Sequence, residues 1–474
     1  MTSHSRELFY DSSSSILVSC TSRESCSTSI TEASSLVQCN THDTQYGAAK
    51  VSMEALQAEK PGYGTCTVFG ASMNLVNAMM GTGIIGLPLA LHYCGFWLGL
   101  VCSVIVAFLT GTAMHLTVLS GMALHEYSLG GLCQCLLGDI GSQVVNFIVF
   151  FHTAGTAVSY YILLGDTLPA LLGHYFPQVP YISDRRYAVI CFGLFCSLPL
   201  SLTRSTARIT KWSTLGVMLL PFMLLGIIIR VPKYAPSPLE LEVAAVSPDM
   251  FKGLAIMGLA FGCSQNIFGV YLSQRDQRPS QWLHATSIAI LLAYLANFVF
   301  AVMGYLCFGK NVQANVLLNF PMDDGAINLV RLALGLFMVL TIPLCIHPCR
   351  EAVQKMMGLN ENGRITTNKE HVLVTIGVFI LILCFGATLT SLGKVFDVVG
   401  GFSTIALGFL LPGAAYIRIF LPHLIYGEAT KLPLLEPSQG NGLQPTWGLM
   451  VIAFSLVCIS FPIMYFAIVD AILA

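Results

Sequence analysis

Two stretches of this sequence place helix breakers and polar side chains inside long apolar runs. The first reads Asn74-Leu-Val-Asn77-Ala-Met-Met-Gly81-Thr82-Gly83-Ile-Ile-Gly86-Leu-Pro88, and the second runs from Gly258 to Tyr271 through Gly262, Cys263, Ser264, Gln265 and Asn266. Glycine costs a helix about 1 kcal/mol per position relative to alanine, so Gly81, Gly83 and Gly86 predict a helix that comes undone. A broken helix exposes carbonyls at the end of one half and N–H groups at the start of the next. The half-helix starting near Gly83 would aim its donors and positive dipole end at an anion. The freed carbonyls suit an ammonium or Na⁺, and the two together fit the zwitterionic head of an α-amino acid. Gly81, Thr82, Gly83, Gly262, Cys263 and Ser264 are therefore the candidate substrate-binding residues. Close helix packing through small residues is the competing explanation of the glycines. The polar group Asn77, Thr82, Ser264, Gln265 and Asn266 at one inferred depth weighs against it.

Further polar residues stand alone. His152 is the ionisable group midway along its apolar run and is the candidate proton relay, with neutral hydrogen-bonded packing as the alternative. Tyr160 and Phe261 are candidate walls of the substrate pocket. Asp166, Asp397 and Asp470 fall near the ends of apolar runs, where interfacial anchoring is expected. No paired carboxylates, Ser/His pair or His-rich cluster share one depth, so no catalytic residue is assigned and an enzyme is not expected. The 16 cysteines mostly sit in apolar runs. Cys133 and Cys135 form only a CxC, and nothing has zinc spacing, so no metal site or cofactor is expected beyond a coupling ion, Na⁺ or H⁺.

These residues need a membrane to hold them. The chain has 474 residues, 55% of them hydrophobic and only 10% charged, with no Asp, Glu, Lys or Arg from Pro61 to His125. Its mean hydropathy is +0.73. Such a chain cannot form a water-soluble surface, and a net charge of −1 offers no field for a nucleic acid. Apolar segments long enough to cross about 30 Å of hydrocarbon lie near 68–92, 95–121, 144–172, 187–203, 211–230, 251–274, 282–308, 328–348, 371–393, 396–420 and 447–471. These predict an all-α multi-pass membrane protein of about eleven spans, because backbone in lipid must satisfy its own hydrogen bonds. Interrupted segments at spans 1 and 6, five apart, are the signature of an inverted-repeat secondary transporter. Leu129, Leu132, Leu136 and Leu137 predict an amphipathic interfacial helix between spans 2 and 3. With the N-terminus cytoplasmic, fifteen Lys and Arg fall on the cytoplasmic side and eight on the other, which favours that orientation. Residues 1–65 carry the run Ser12–Ser15 and are expected to be a disordered Ser/Thr-rich cytoplasmic tail. Residues 66–474 form the transmembrane domain. No signal peptide is visible and no Asn-x-Ser/Thr sequon occurs. Cys20, Cys26 and Cys39 read as free thiols in the tail, with lipidation as the alternative.

Asn77-Ala-Met-Met-Gly-Thr-Gly-Ile-Ile-Gly-Leu-Pro88 resembles the first-span motif of the amino acid/auxin permease family. It is most similar to the sodium-coupled neutral amino acid transporters and their fungal vacuolar relatives. Tyr161-Ile-Leu-Leu-Gly-Asp-Thr-Leu168, Leu198-Pro-Leu-Ser-Leu202 with Lys211, and Phe320-Pro-Met-Asp-Asp324 continue the resemblance. So do Leu340-Thr-Ile-Pro343 with Arg350-Glu351, Val398-Val-Gly-Gly401 and Leu411-Pro412, so that it covers roughly residues 67–470. The resemblance implies a LeuT-type fold of two inverted five-helix repeats plus one helix, with substrate between spans 1, 3, 6, 8 and 10. It also implies a sodium site between spans 1 and 8, whose residues fall on Asn77 and Thr341. The expected activity is secondary transport of amino acids, neutral ones by the family's habit, coupled to Na⁺ or H⁺. The membrane is the plasma membrane or that of a lysosome or vacuole. An amino-acid-sensing receptor without net transport shares these features. The partners are the amino acid and membrane lipid, and no oligomeric state can be assigned. No Walker-type sequence is present, so ion gradients or facilitated diffusion must drive any transport.

Overall fold

The computed structural model describes residues 62, 64–178, 180–203, 216, 218–236, 246–359, 366–426 and 446–473. The tail expected over 1–65 lies almost wholly outside them. So do Cys20, Cys26 and Cys39, together with Arg204, Arg208, Lys211, Arg364 and Lys431, on which the orientation argument partly rests.

The first apolar run is divided as its glycines predict. Helix α1 (Val68–Met79) is capped by the Thr67 side chain, which accepts from the Gly70 N–H at 3.1 Å. It stops before Gly81, and α2 (Gly83–Cys94) resumes at an angle of 67°. Helix α3 (Phe96–Leu124) comes directly after it. Helix α4 (Leu129–Tyr175) is 47 residues long, with a kink at Gly138 (φ 74°) that an L side chain would strain. The expected interfacial helix is therefore the first part of α4. Its leucines divide: Leu129 and Leu132 are buried, and Leu137 is 71% exposed.

The fourth expected span is a continuous helical run, and the fifth is described only in part, because residues 204–215 and 217 lie outside the described residues. α5 (Arg185–Phe192), a π-helical turn (Gly193–Ser197) and α6 (Leu198–Ser201) form one run. α7 (Leu220–Tyr234) has 15 residues. The second interrupted run is α8 (Met250–Phe261), then a 3₁₀ turn (Ser264–Asn266), then α9 (Ile267–Ser273). α10 (Pro279–Phe308), α11 (Gly325–Met356) and α12 (Asn368–Thr388) are long and apolar. The tenth run begins as α13 (Leu392–Val398), passes two π-helical turns (Val399–Thr404 and Ala406–Leu410) and ends as α14 (Leu411–Tyr426). α15 (Trp447–Leu473) closes the chain. Among the described residues eight helices are long and apolar enough to cross a membrane, and the bent α1–α2 pair makes nine. The count of eleven is not confirmed by the described residues: the fourth run is divided by a π-helical turn, and part of the fifth lies outside them.

The interior is built around the broken runs. α11 packs along α4 more extensively than any other pair, α8 crosses α2, and α10 lies against both α1 and α2. The many exposed apolar side chains, among them Phe108, Leu291, Leu373 and Phe461, form the outer surface, as lipid-facing residues do. Where α1 begins, Cys66 lies alongside the end of α9: its N–H donates to Ser273 O at 2.8 Å, and its carbonyl accepts from Arg275 N–H at 2.9 Å.

Charged residues concentrate at helix ends. Asp166 pairs with Arg185, and Lys252 pairs with Asp249 at 3.1 Å and Asp470 at 3.0 Å. Arg331 is buried, and among the described residues no carboxylate forms an ion pair with it. Its guanidinium donates to Asn328 Oδ1 (2.6 Å), Phe320 O (2.7 Å), Leu317 O (2.8 Å) and Pro321 O (3.4 Å). The arginine thereby fastens the 3₁₀ turn Val316–Asn319, which rests against α2.

Candidate functional site

The two breaks meet around one interior cavity. It has room of about 40 Å³ for water-sized contents, roughly three waters. The first run contributes Asn77, Ala78, Met79, Gly81, Thr82 and Gly83; the second contributes Leu259, Gly262, Gln265 and Asn266. α4 supplies His152, Thr156 and Tyr160, and α11 supplies Thr341, Leu344 and Cys345.

Local structure explains why donors and acceptors face each other here. The last four carbonyls of α1 and the first N–H groups of α2 have no partner within their own helices. Thr82, just before α2, makes no side-chain cap. Its hydroxyl is buried without a hydrogen-bond partner, as is Gln265 Oε1. Buried polar atoms are nearly always satisfied, so two orphans on one cavity mark a place for a polar guest. The helix ends provide a positive pole at Thr82–Gly83 and a negative one at Asn77–Met79. Among the described residues no Asp, Glu, Lys or Arg lines this cavity. A guest must therefore balance its own charge or bring a counter-ion.

The candidates from the sequence divide three ways. Asn77, Gly81, Thr82, Gly83, His152, Tyr160, Gly262 and Thr341 all line the cavity. Cys263 and Ser264 turn the other way, into a smaller cavity of about 10 Å³ shared with Thr110, Met114, Thr404 and Gly408. There the Cys263 thiol meets Met114 Sδ at 3.6 Å. Phe261 faces a third, apolar crevice with Leu87, Leu100 and Tyr294, and its ring stacks on Tyr294 at 6.5 Å. Its helix turn carries it away from the main cavity, so it is not a wall of that cavity.

The glycines are also not equivalent. A Cβ on Gly81 would lie 3.0 Å from Tyr160 Oη, on the cavity wall. One on Gly83 would lie 2.6 Å from Ala260 Cα and N, in the crossing of α2 and α8. Close packing, the alternative reading of the glycines, thus accounts for Gly83. Thr341 donates its proton to Phe337 O at 2.8 Å, which leaves its oxygen lone pairs as acceptors.

Sequence reasoning missed the partners of His152. Ser403 Oγ and Thr404 Oγ1 each lie 3.3 Å from His152 Nδ1, and both residues belong to the first π-helical turn of the tenth run. The signal was a Ser-Thr pair two residues after Val398-Val-Gly-Gly401. It pointed to nothing without knowing that a π turn would swing both hydroxyls toward α4. Thr156 and Cys345 were missed as well, since neither stands out in an apolar run.

The profile of the family described as "Transmembrane amino acid transporter protein" matches residues 64–438. Among curated proteins the chain is 27% identical over 373 residues to "Putative sodium-coupled neutral amino acid transporter 11" of Danio rerio, covering 77% of this chain and 82% of that one. It is 26% identical over 357 residues to vacuolar amino acid transporter 2 of Saccharomyces cerevisiae, covering 72% and 74%. Two solved structures share the fold at 12% sequence identity and a TM-score of 0.52. One is a Na⁺-coupled sialic acid symporter in a substrate-bound outward-open state, covering 87% of this chain and 91% of that one. The other is the manganese transporter of Eremococcus coleocola, covering 90% and 88%. The helical architecture with its two broken spans is accordingly the LeuT-type fold. With the match spanning most of its length, the chain belongs to the transmembrane amino acid transporter family.

Proposed function

We propose that this chain carries small neutral amino acids across a membrane by alternating access, with Na⁺ as the coupling ion. The observation that carries this reading is the cavity itself. It combines the N-terminal end of α2, side-chain oxygens of Thr82 and Gln265 without a hydrogen-bond partner, and no charged side chain among the described residues. A zwitterion supplies both charges and needs none from a side chain. The α2 N-terminus takes the carboxylate, as helix N-termini take anions, and the carbonyl end of α1 takes the cationic end. The space of about 40 Å³ favours a small side chain.

Asn77 and Thr341 face the cavity from α1 and α11 and offer neutral oxygens of the kind that Na⁺ takes. They are the proposed ion ligands, and the family resemblance of both positions supports this. Alternating access then arises from the division of the fold: the broken spans hold the guest while the helices around them open one end and close the other.

The test is uptake by the purified protein in proteoliposomes from a panel of radiolabelled amino acids, with Na⁺, pH and voltage varied independently. Saturable uptake of alanine, serine or glycine, with little lysine or glutamate, is the expected result. Tight binding without flux would instead identify a receptor. Absence of both would remove the proposal.

A further inference from the structure

We infer that His152 is a further acceptor for the substrate's α-ammonium group, alongside the α1 carbonyls, held with its proton on Nδ1 by Ser403 and Thr404. The inference rests on the transport reading above and deepens it. The hydroxyl of Ser403 donates to Val399 O at 2.8 Å, and that of Thr404 donates to the same carbonyl at 3.0 Å. Each hydroxyl has one proton. With both protons committed to Val399, the oxygens face His152 Nδ1 at 3.3 Å as acceptors. The imidazole must then donate from Nδ1, which places the lone pair of a neutral ring on Nε2. Among the described residues Nε2 has no hydrogen-bond partner, and His152 is a wall of the cavity.

The surroundings decide what this lone pair serves. His152 shares the cavity with Thr156 and Tyr160 of its own helix, Cys345 and Thr341 of α11, and the two broken runs. None is a carboxylate, so an ammonium here must be held by neutral acceptors. An sp² nitrogen with a fixed lone pair is a strong acceptor. Gln265 Oε1 and Thr82 Oγ1, both without a hydrogen-bond partner, belong to residues that line the same cavity. A π-helical turn in the tenth run therefore acts through Ser403 and Thr404 as a positioning element for a residue on α4. It reaches the cavity without lining it.

The test compares how strongly L-alanine and propionate displace radiolabelled L-alanine from the purified full-length protein in nanodiscs. Propionate is alanine without its ammonium. The readout is the ratio of the two affinities, which a general loss of folded protein does not alter. Glutamine can present an amide oxygen near the place of Nε2, and asparagine reaches only as far as Nδ1. His152→Asn should shrink the preference for alanine by at least about tenfold, the lower end of the worth of one hydrogen bond to a charged group. His152→Gln should retain most of it. The pair Ser403→Ala and Thr404→Val, which leaves His152 in place but frees its tautomer, should shrink it by an intermediate factor. An unchanged ratio in His152→Asn would overturn the inference while alanine binding itself upheld the transport reading. If His152→Asn does not fold, an unchanged ratio in the Ser403→Ala/Thr404→Val protein overturns it. Failure of the wild type to bind alanine or any other neutral amino acid would overturn both readings.

Discussion

Gly83 and Ala260 meet backbone to backbone: a Cβ added to Gly83 would sit 2.6 Å from both Cα and N of Ala260. This contact joins the two broken spans just beside the cavity that they line. The neighbour is backbone and cannot rotate aside, so any side chain at 83 must push α2 and α8 apart. Overpacking of this kind costs about 1–3 kcal/mol. Gly83→Ala should lower thermal stability in fluorescence-detected size-exclusion assays, and Gly83→Leu should abolish the monodisperse peak. Gly81→Ala, whose added methyl would meet the Tyr160 hydroxyl, should keep the peak and weaken alanine binding instead. Equal behaviour of the two positions would contradict their separate roles.

Arg331 illustrates a buried charge satisfied wholly by carbonyl and amide oxygens. Arg331→Met would leave the Phe320 carbonyl without that donor, at about 1–3 kcal/mol for an orphaned group, while Leu317 O keeps the Phe320 N–H at 3.4 Å. Arg331→Lys restores the charge but not the planar fork, and should recover only part of the loss. Thermal unfolding of the three proteins in one detergent is the check, with the order Arg, Lys, Met from most to least stable.

Asp324 caps α11 and gathers three side chains of α7. Its Oδ1 accepts from Ala326 N–H (3.1 Å), Ile327 N–H (3.3 Å) and Arg230 Nε (2.9 Å), and its Oδ2 accepts from Tyr234 Oη (2.9 Å) beside Lys233. Burial pushes this carboxyl up, but the Tyr234 and Ile327 hydrogen bonds and the two nearby cations outweigh it and hold it below the usual carboxylate value. A depressed value means the folded state favours the anion. Its stabilisation is complete above about pH 4 and is lost as pH falls through the folded-state value. Asp324→Ala should cost about 1–2 kcal/mol at neutral pH, as loss of a helix cap does. The difference from wild type should narrow in acid, as thermal midpoints measured between about pH 7 and pH 3 would show.

Asn77→Ala and Thr341→Val each remove one proposed Na⁺ ligand. Each should raise the Na⁺ concentration for half-maximal uptake about tenfold and leave the alanine KM within about threefold at saturating Na⁺. A change in alanine KM alone would assign these residues to the substrate.

The breaks are legible in the sequence because glycine and polar residues in mid-membrane violate the rules that lipid imposes on a helix. Asn77, Gly81, Thr82, His152, Tyr160 and Thr341 converge on one cavity for that reason. Depth along a span is readable from hydropathy, but facing is not. Phe261, the last residue of α8, and Ser264, beyond the break, both face other spaces, the first by its place on the helix turn and the second in the 3₁₀ turn that follows. Ser403 and Thr404 are illegible for a related reason. Their approach to His152 depends on a π turn, which shifts the helix register locally and leaves no periodic trace.

The most direct test of sodium-coupled transport is accumulation of radiolabelled L-alanine by the purified wild-type protein in proteoliposomes under an inward Na⁺ gradient, with pH and membrane voltage clamped. The predicted result is concentrative uptake that collapses when choline replaces Na⁺ outside, and that Asn77→Ala shifts to higher Na⁺. Uptake equal in Na⁺ and choline, or no uptake of any neutral amino acid, would contradict it.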